Sequence, residues 1–127
     1  MPMYQVGTAI EVRALHVMPG VDGPEGQLHA HDYKIEVFVE RAELDGRGMV
    51  CDLDILEHAL GRVADTVRDA DLEAIRPRDA EAVTVEVFAR WAHGALADAV
   101  RAGGGEDLTV RVWESPVAFG AYGAPVR

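Results

Sequence analysis

Residues 28–40, LHAHDYKIEVFVE, decide the fold of this chain. Ile35, Val37 and Val39 alternate with other residues, and this period of two predicts a half-buried β-strand. His29 and His31 share the parity of these apolar residues. Because successive side chains of a strand point to opposite faces, the pattern predicts that both imidazoles project from the buried face.

An earlier segment, residues 4–16, shows the same alternation in its second half. Ile10, Val12 and Ala14 lie on one parity, and His16 continues that series. A loop rich in glycine and proline separates the two segments, so they can pair antiparallel. The end of the first strand then lies beside the start of the second, which brings His16 next to the other two histidines.

Three converging imidazoles are typical of a zinc site. Two histidines at positions i and i+2 of a strand point the same way. A third from the neighbouring strand leaves one tetrahedral position of Zn²⁺ open, as in catalytic sites. The alternative is that one or more of His16, His29 and His31 are core histidines bonded to the backbone. An isolated His-X-His favours that alternative, whereas the convergent His16 favours the metal.

Two amphipathic helices are predicted in the middle of the chain. In residues 52–67, leucine and valine recur at helical spacing, with Asp52 as the N-cap. Residues 84–102 give the second helix, and the run of three glycines at 103–105 stops it. The buried positions predicted for this helix are Val87, Trp91, Ala95 and Leu96.

Two further strands follow the helices. Residues 108–114 alternate again, and the stretch through Phe119 and Tyr122 would close a second hairpin. The order is ββααββ, which predicts an α+β fold with two helices on one face of a four-stranded antiparallel sheet. At 127 residues the chain can bury one ordinary core, so we expect a single domain over residues 1–127.

Charge and composition exclude several classes of partner. The 22 acidic residues against 12 basic ones give a formal charge of -10, which repels phosphate backbones and anionic membranes. No apolar run approaches the roughly 20 residues that span a bilayer. Neither nucleic acid nor a membrane is therefore expected as a partner. The single cysteine, Cys51, cannot form an internal disulfide, and a cytoplasmic location is expected.

Glu114 is a candidate ligand-binding carboxylate. It shares parity with Val110 and Val112, so it lies at the end of an apolar face, where an unpaired charge is costly. A carboxylate there could accept two N–H bonds from the edge of a planar, guanidine-like ring. The alternative is that Glu114 leaves the sheet into solvent where the strand ends.

The same residues resemble the 6-pyruvoyltetrahydropterin synthase family, which includes the 6-carboxytetrahydropterin synthases of the queuosine pathway. The resemblance covers nearly the whole chain, and its motifs stand in the expected order. They are ALH at residues 14–16, HAHDYK at 29–34, GMVCD at 48–52, TVE at 84–86, and VWES at 112–115 followed by Tyr122.

This resemblance implies the tunnelling fold, in which subunits join their sheets into a barrel, commonly as a hexamer of two stacked trimers. It implies Zn²⁺ held by His16, His29 and His31. It also implies that Glu114 anchors the pterin ring and that Thr84 and Glu86 bind substrate.

The chain departs from the family at the positions tied to proton transfer. The family cysteine that precedes the histidine pair is absent, and Glu25 stands four residues before His29, as in the branch that carries glutamate there. The family Asp-His pair after the first helix reads Arg68-Asp69. Asp69 or Asp71 could replace its histidine as a base, or both could be solvated helix-end residues.

The resemblance therefore implies a zinc-dependent carbon-oxygen or carbon-carbon lyase acting on 7,8-dihydroneopterin triphosphate, of the 6-carboxy- or 6-pyruvoyltetrahydropterin synthase type. One alternative is side-chain cleavage to a 6-hydroxymethyl-dihydropterin with Glu25 as base. Another is a homologue that binds zinc and pterin but has lost turnover. Cys51 lies after the second strand, where a small buried residue is the expected role.

Overall fold

A computed structural model describes residues 2–127. One sheet contains four antiparallel strands in the order β1-β2-β3-β4. These are β1 (Tyr4–His16), β2 (His29–Arg41), β3 (Asp107–Trp113) and β4 (Phe119–Pro125). The helices α1 (Leu53–Val67) and α2 (Val85–Ala102) connect β2 to β3, with short 3₁₀ turns at Pro24–Gly26 and Leu72–Ile75.

The register of β1 and β2 confirms the pairing predicted from the alternating residues. The pair is antiparallel over its whole length, and His16 lies opposite His29. Ala14 lies opposite His31, and Val12 lies opposite Tyr33. Because all of these side chains project from the same face, the end of this hairpin presents a histidine cluster on the side that the helices cover.

Both helices pack on that one face of the sheet, as the order of elements predicted. Asp52 caps α1 by accepting bonds from the backbone N–H groups of Asp54 and Ile55. Thr84 caps α2, and Gly103 follows its last residue. The shared core consists of fully buried side chains from strands and helices, including Ile35, Val37, Val39, Leu60, Phe88, Leu96, Leu108, Val110 and Val112.

The face of α2 that meets the sheet differs from the predicted one. Phe88, Ala92 and Leu96 are buried, whereas Ala95 is exposed. Trp91 is partly buried at the margin of the core. The helical period was correct, but the centre of the apolar stripe lies about one position further along the chain. A stripe rich in alanine gives little contrast between neighbouring faces.

Within residues 2–127, neither helix combines the length and the apolar character that a membrane span requires.

Candidate metal centre

Three histidine rings meet at the end of the β1–β2 hairpin. The ring centroids of His16 and His29 lie 5.4 Å apart, those of His16 and His31 6.3 Å apart, and those of His29 and His31 4.7 Å apart. The strand register produces this arrangement, because it places the end of β1 beside the start of β2. The convergence expected from parity is therefore present in the folded chain.

His16 is the most deeply buried of the three, with 6% of its surface exposed. Neither of its ring nitrogens has a hydrogen-bond partner within the described residues. Burial, followed by the nearby His29 and His31, lowers the pKa of His16. The Val83 backbone lies close enough to oppose this shift, although outside hydrogen-bonding geometry, and Glu25 opposes it too. A buried polar group without a partner is costly. His16 therefore fits a metal ligand better than a core histidine bonded to the backbone.

The orientation of His29 is fixed from outside the cluster. Its Nδ1 lies 2.7 Å from the backbone carbonyl of Gln27, which can only accept, so Nδ1 carries the proton. In the neutral ring Nε2 then presents a lone pair, and it lies 2.9 Å from Nε2 of His31. A backbone carbonyl that fixes the tautomer of a histidine in this way is a common outer-shell feature of metal sites.

Four side chains can share one ion at this point. One ligand atom from each of His16, Glu25, His29 and His31 lies within 4.8 Å of the other three. Zinc binds imidazole nitrogen and carboxylate oxygen at about 2.0–2.2 Å, so the side chains would rotate closer together to share one ion. The donor set and the unpartnered nitrogens of His16 both fit a divalent metal that imidazole prefers.

A cavity of about 280 Å³ lies beside the histidines. It is lined by side chains from the sheet, the loop after β1 and the start of α2: His16, Met18, Glu25, Tyr33, Val83, Thr84, Val85, Glu86, Phe88 and Glu114. The structure therefore places Glu25, Thr84, Glu86 and Glu114 at one cavity with His16.

Glu114 follows directly after β3 and is half-buried. It lines both this cavity and a wider basin of about 670 Å³. Among residues 2–127, none forms a salt bridge or hydrogen bond with its carboxylate. Glu114 is thus a partly desolvated acceptor that faces the cavity, which suits a ligand with N–H donors.

Tyr33 is a site residue that the motif analysis left without a role. It is buried, and its ring packs edge-on between the rings of His31 and Phe88 at centroid distances of 5.5 and 5.3 Å. Burial, followed by the charges of Glu114 and Glu25, raises the pKa of Tyr33 well above its ordinary value. The hydroxyl therefore stays protonated, as a donor at the cavity. Its parity with His29 and His31 was the available signal.

Thr84 has a structural task at the cavity wall. Its side-chain oxygen accepts a hydrogen bond of 3.1 Å from the backbone N–H of Val87, which caps α2. The hydroxyl proton is still available to a ligand, because the cap uses Thr84 only as an acceptor. Glu86, in the first turn of α2, lies at the same wall and suits the positive end of the helix.

Replacing Thr84 with alanine is therefore expected to lower the free energy of unfolding by about 1 kcal/mol, since the cap is lost. Thr84→Ser keeps the hydroxyl and should unfold close to wild type. Urea denaturation of the three metal-free proteins measures the difference. An alanine variant as stable as wild type would show that the cap contributes nothing.

Asp69 and Cys51 lie outside the cavity lining of this chain. Asp69 has a positive φ of 53° and its carboxylate pairs with Arg13 at 2.9 Å, on the outer side of β1. Asp71 caps the second 3₁₀ turn. Cys51 is buried beside α1, as a small residue of the core, and burial raises the pKa of its thiol.

Comparison with known proteins supports the same fold and family. The profile of the family described as 6-pyruvoyl tetrahydropterin synthase matches residues 6–125. The structure of 6-pyruvoyl tetrahydropterin synthase from Plasmodium vivax matches with a TM-score of 0.74 and 12% identity, covering 98% of this chain and 99% of that one. The Caenorhabditis elegans synthase matches with a TM-score of 0.66 and 21% identity, covering 98% and 97%.

A variant of the Plasmodium vivax enzyme, in which a catalytic glutamate is replaced by alanine, matches equally well, with a TM-score of 0.74 and 12% identity over 98% of this chain and 99% of that one. No curated protein sequence matches this chain significantly. These likenesses confirm the predicted tunnelling fold.

Proposed function

Because the chain belongs to the 6-pyruvoyl tetrahydropterin synthase family, we propose that it is a zinc-dependent lyase acting on 7,8-dihydroneopterin triphosphate. The observation that carries this proposal is the cluster of His16, His29 and His31 beside a cavity that also exposes Glu114. The cluster suits a metal, and the carboxylate suits the ring edge of a pterin.

His16, His29 and His31 would hold the zinc ion. When bound, the metal supplies Lewis-acid chemistry, which makes protons on and next to the hydroxyl-bearing carbons of the substrate side chain easier to remove. Glu114 would accept N–H bonds from the pterin ring and fix its orientation. Thr84 and Glu86, at the cavity wall, are proposed as further substrate contacts.

Glu25 is the proposed general base. Its carboxylate lines the cavity and lies 3.4 Å from Nε2 of His29, so it is within reach of a side chain bound near the cluster. Tyr33 has a protonated hydroxyl at the same cavity and can donate to a substrate oxygen. A glutamate is also a catalytic residue of the Plasmodium vivax synthase.

Triphosphate elimination and side-chain cleavage both begin with proton removal near the metal. The first leads to a 6-pyruvoyl product and the second to a 6-hydroxymethyl-dihydropterin, whereas the 6-carboxy product of the queuosine pathway requires loss of the triphosphate and of two side-chain carbons. A glutamate in place of the family cysteine favours side-chain cleavage as the alternative. The absence of both the family cysteine and the family Asp-His pair favours a third possibility, a homologue that binds zinc and pterin without turnover.

A homo-oligomer, as a hexamer of two trimers, is proposed for the assembled protein. Strands β1 and β4 are the two edges of the sheet, and edges can pair between copies. Asp69 lies beside β1, so in such an assembly it could serve a neighbouring copy as a base. We also propose a cytoplasmic location, where a thiol such as Cys51 stays reduced.

The test is to incubate the zinc-loaded protein with 7,8-dihydroneopterin triphosphate and identify products by chromatography and mass spectrometry. We expect a new pterin, whose mass separates carboxy, pyruvoyl and hydroxymethyl products. The product should be lost in His16→Ala. In Glu25→Ala the rate should fall by about 100- to 10,000-fold, as for other general bases.

Asp22→Asn is the matched control, because it removes an exposed carboxylate from the same loop, and it should retain wild-type turnover. Zinc binding without any product would overturn the lyase proposal and favour the binding-only homologue.

A further inference from the structure

The Glu25 carboxylate lies close enough to the histidine cluster to belong to the same group of possible metal donors. Its Oε2 atom lies 3.4 Å from Nε2 of His29, and one of its oxygens belongs to the group of four donors within 4.8 Å of one another. Glu86 and Glu114 line the same cavity, yet neither belongs to that group. Of these three carboxylates, Glu25 is therefore the one placed with the histidine donors.

The backbone of Glu25 is held beside the cluster. Its carbonyl accepts a hydrogen bond of 2.8 Å from the N–H of Met18, two residues after His16. The next residue, Gly26, packs so tightly that a Cβ there would lie 1.8 Å from the carbonyl oxygen of Val21. The loop thus fixes the backbone position of Glu25, while 57% of its side chain remains exposed.

Charge favours direct contact between this carboxylate and the metal. Metal-binding imidazoles are neutral, so three of them leave the full double charge of the ion. An anionic oxygen beside them offsets half of that charge, and a His₃Glu set gives zinc its usual four ligands. The fourth position would then belong to the protein whenever the cavity holds no ligand.

We infer that Glu25 is the fourth protein ligand of the metal in the substrate-free protein, and that it leaves this position when a ligand fills the cavity. His16 and Glu25 line the same cavity, so a molecule that fills it contacts the Glu25 carboxylate as well as the metal position. Once displaced, the carboxylate is free and adjacent, where the proposed base is needed. The inference rests on the proposed function only for the presence of the metal.

The test compares wild type with Glu25→Gln, Glu25→Asp and Asp22→Asn. Zinc affinity is measured by chelator competition, and the absorption spectrum of the Co²⁺-substituted protein reports the ligand set. For Glu25→Gln we expect affinity to fall by at least the roughly 10- to 100-fold seen when outer-shell partners are changed. The Co²⁺ spectrum should change with it, and Asp22→Asn should behave as wild type.

Glu25→Asp separates ligation from long-range attraction. It keeps the charge but shortens the side chain, so a ligand role predicts weaker binding and an altered Co²⁺ spectrum. Wild-type affinity and spectrum in Glu25→Asp would overturn the inference, as would wild-type behaviour of Glu25→Gln. Circular dichroism of the metal-free variants checks the fold, which an exposed side chain should not affect.

Adding 7,8-dihydroneopterin to the Co²⁺ protein tests the exchange. We expect the wild-type spectrum to change, and an unchanged spectrum with bound pterin would overturn the displacement step. If wild type binds no metal, both this inference and the proposed function fail. If Glu25 variants bind metal normally while wild type turns over substrate, only this inference fails.

Discussion

Replacing His16 with leucine is expected to abolish tight metal binding and, at the same time, to make the metal-free protein more stable. Both ring nitrogens of His16 are buried and have no hydrogen-bond partner among residues 2–127. An unsatisfied buried polar group costs about 1–3 kcal/mol, and an apolar side chain of similar size removes that cost. His16 is therefore expected to favour metal binding and to lower the stability of the metal-free protein.

Chemical denaturation with and without zinc measures both effects. Zinc at 100 times its dissociation constant should stabilise wild type by about 2.7 kcal/mol, whereas His16→Leu should gain nothing. His93→Leu is the matched control, because His93 is also buried but its Nε2 bonds the carbonyl of Ala124 at 3.2 Å. That variant should lose stability and retain zinc. A destabilised metal-free His16→Leu would indicate that His16 has a structural role.

The same residue gives the metal-free protein a pH dependence of known sign. Burial is the main reason that the pKa of folded His16 lies below its ordinary value of 6.5. The unfolded chain therefore binds more protons around and below pH 6.5, so protonation of this group lowers the stability of the folded protein as the pH falls. Denaturation midpoints of His16→Leu between pH 7 and 5 should fall less than those of wild type.

The sheet and the histidine cluster could both be predicted from one pattern, the two-residue alternation of apolar side chains in the strands. The second half of β1 and the residues of β2 alternate, so parity assigned a face to each histidine, and antiparallel pairing brought the two strand ends together. The helix α2 was predicted with less accuracy. Its alanine-rich surface left the exact face undetermined, and the exposed Ala95 shows the error.

The loop residues could not be placed from periodicity. Glu25 reaches the cluster because Met18 bonds its backbone and Gly26 permits a close turn, and neither contact has a periodic signature. Asp69 was a candidate base by position, yet its neighbour across the chain is Arg13. Such pairings depend on side-chain contacts between distant segments, which spacing along the chain does not encode.

Replacing Glu114 with glutamine is expected to weaken pterin binding by roughly 100-fold, because a charge-assisted bond contributes about 1.5–3 kcal/mol. Glutamine keeps the shape of the glutamate side chain. It replaces one acceptor oxygen by an NH₂ group, which can only donate, and it removes the negative charge. Titration of the zinc protein with 7,8-dihydroneopterin, followed by calorimetry, measures the dissociation constant. Glu57→Gln, an exposed change on α1, removes the same charge far from the cavity and should bind as wild type.

Zinc affinity of Glu114→Gln should remain that of wild type, because Glu114 lies outside the group of four donors. Measuring zinc affinity separates two causes of weaker pterin binding. A disturbed metal site would lower the affinities for zinc and for pterin together, whereas loss of the Glu114 contact would lower only the affinity for pterin. Unchanged pterin binding would instead favour the second interpretation of Glu114, a carboxylate that leaves the sheet into solvent after Trp113. The half-buried position, with no partner among residues 2–127, argues against that interpretation, because a carboxylate that can reach water gains nothing from partial desolvation at a cavity wall.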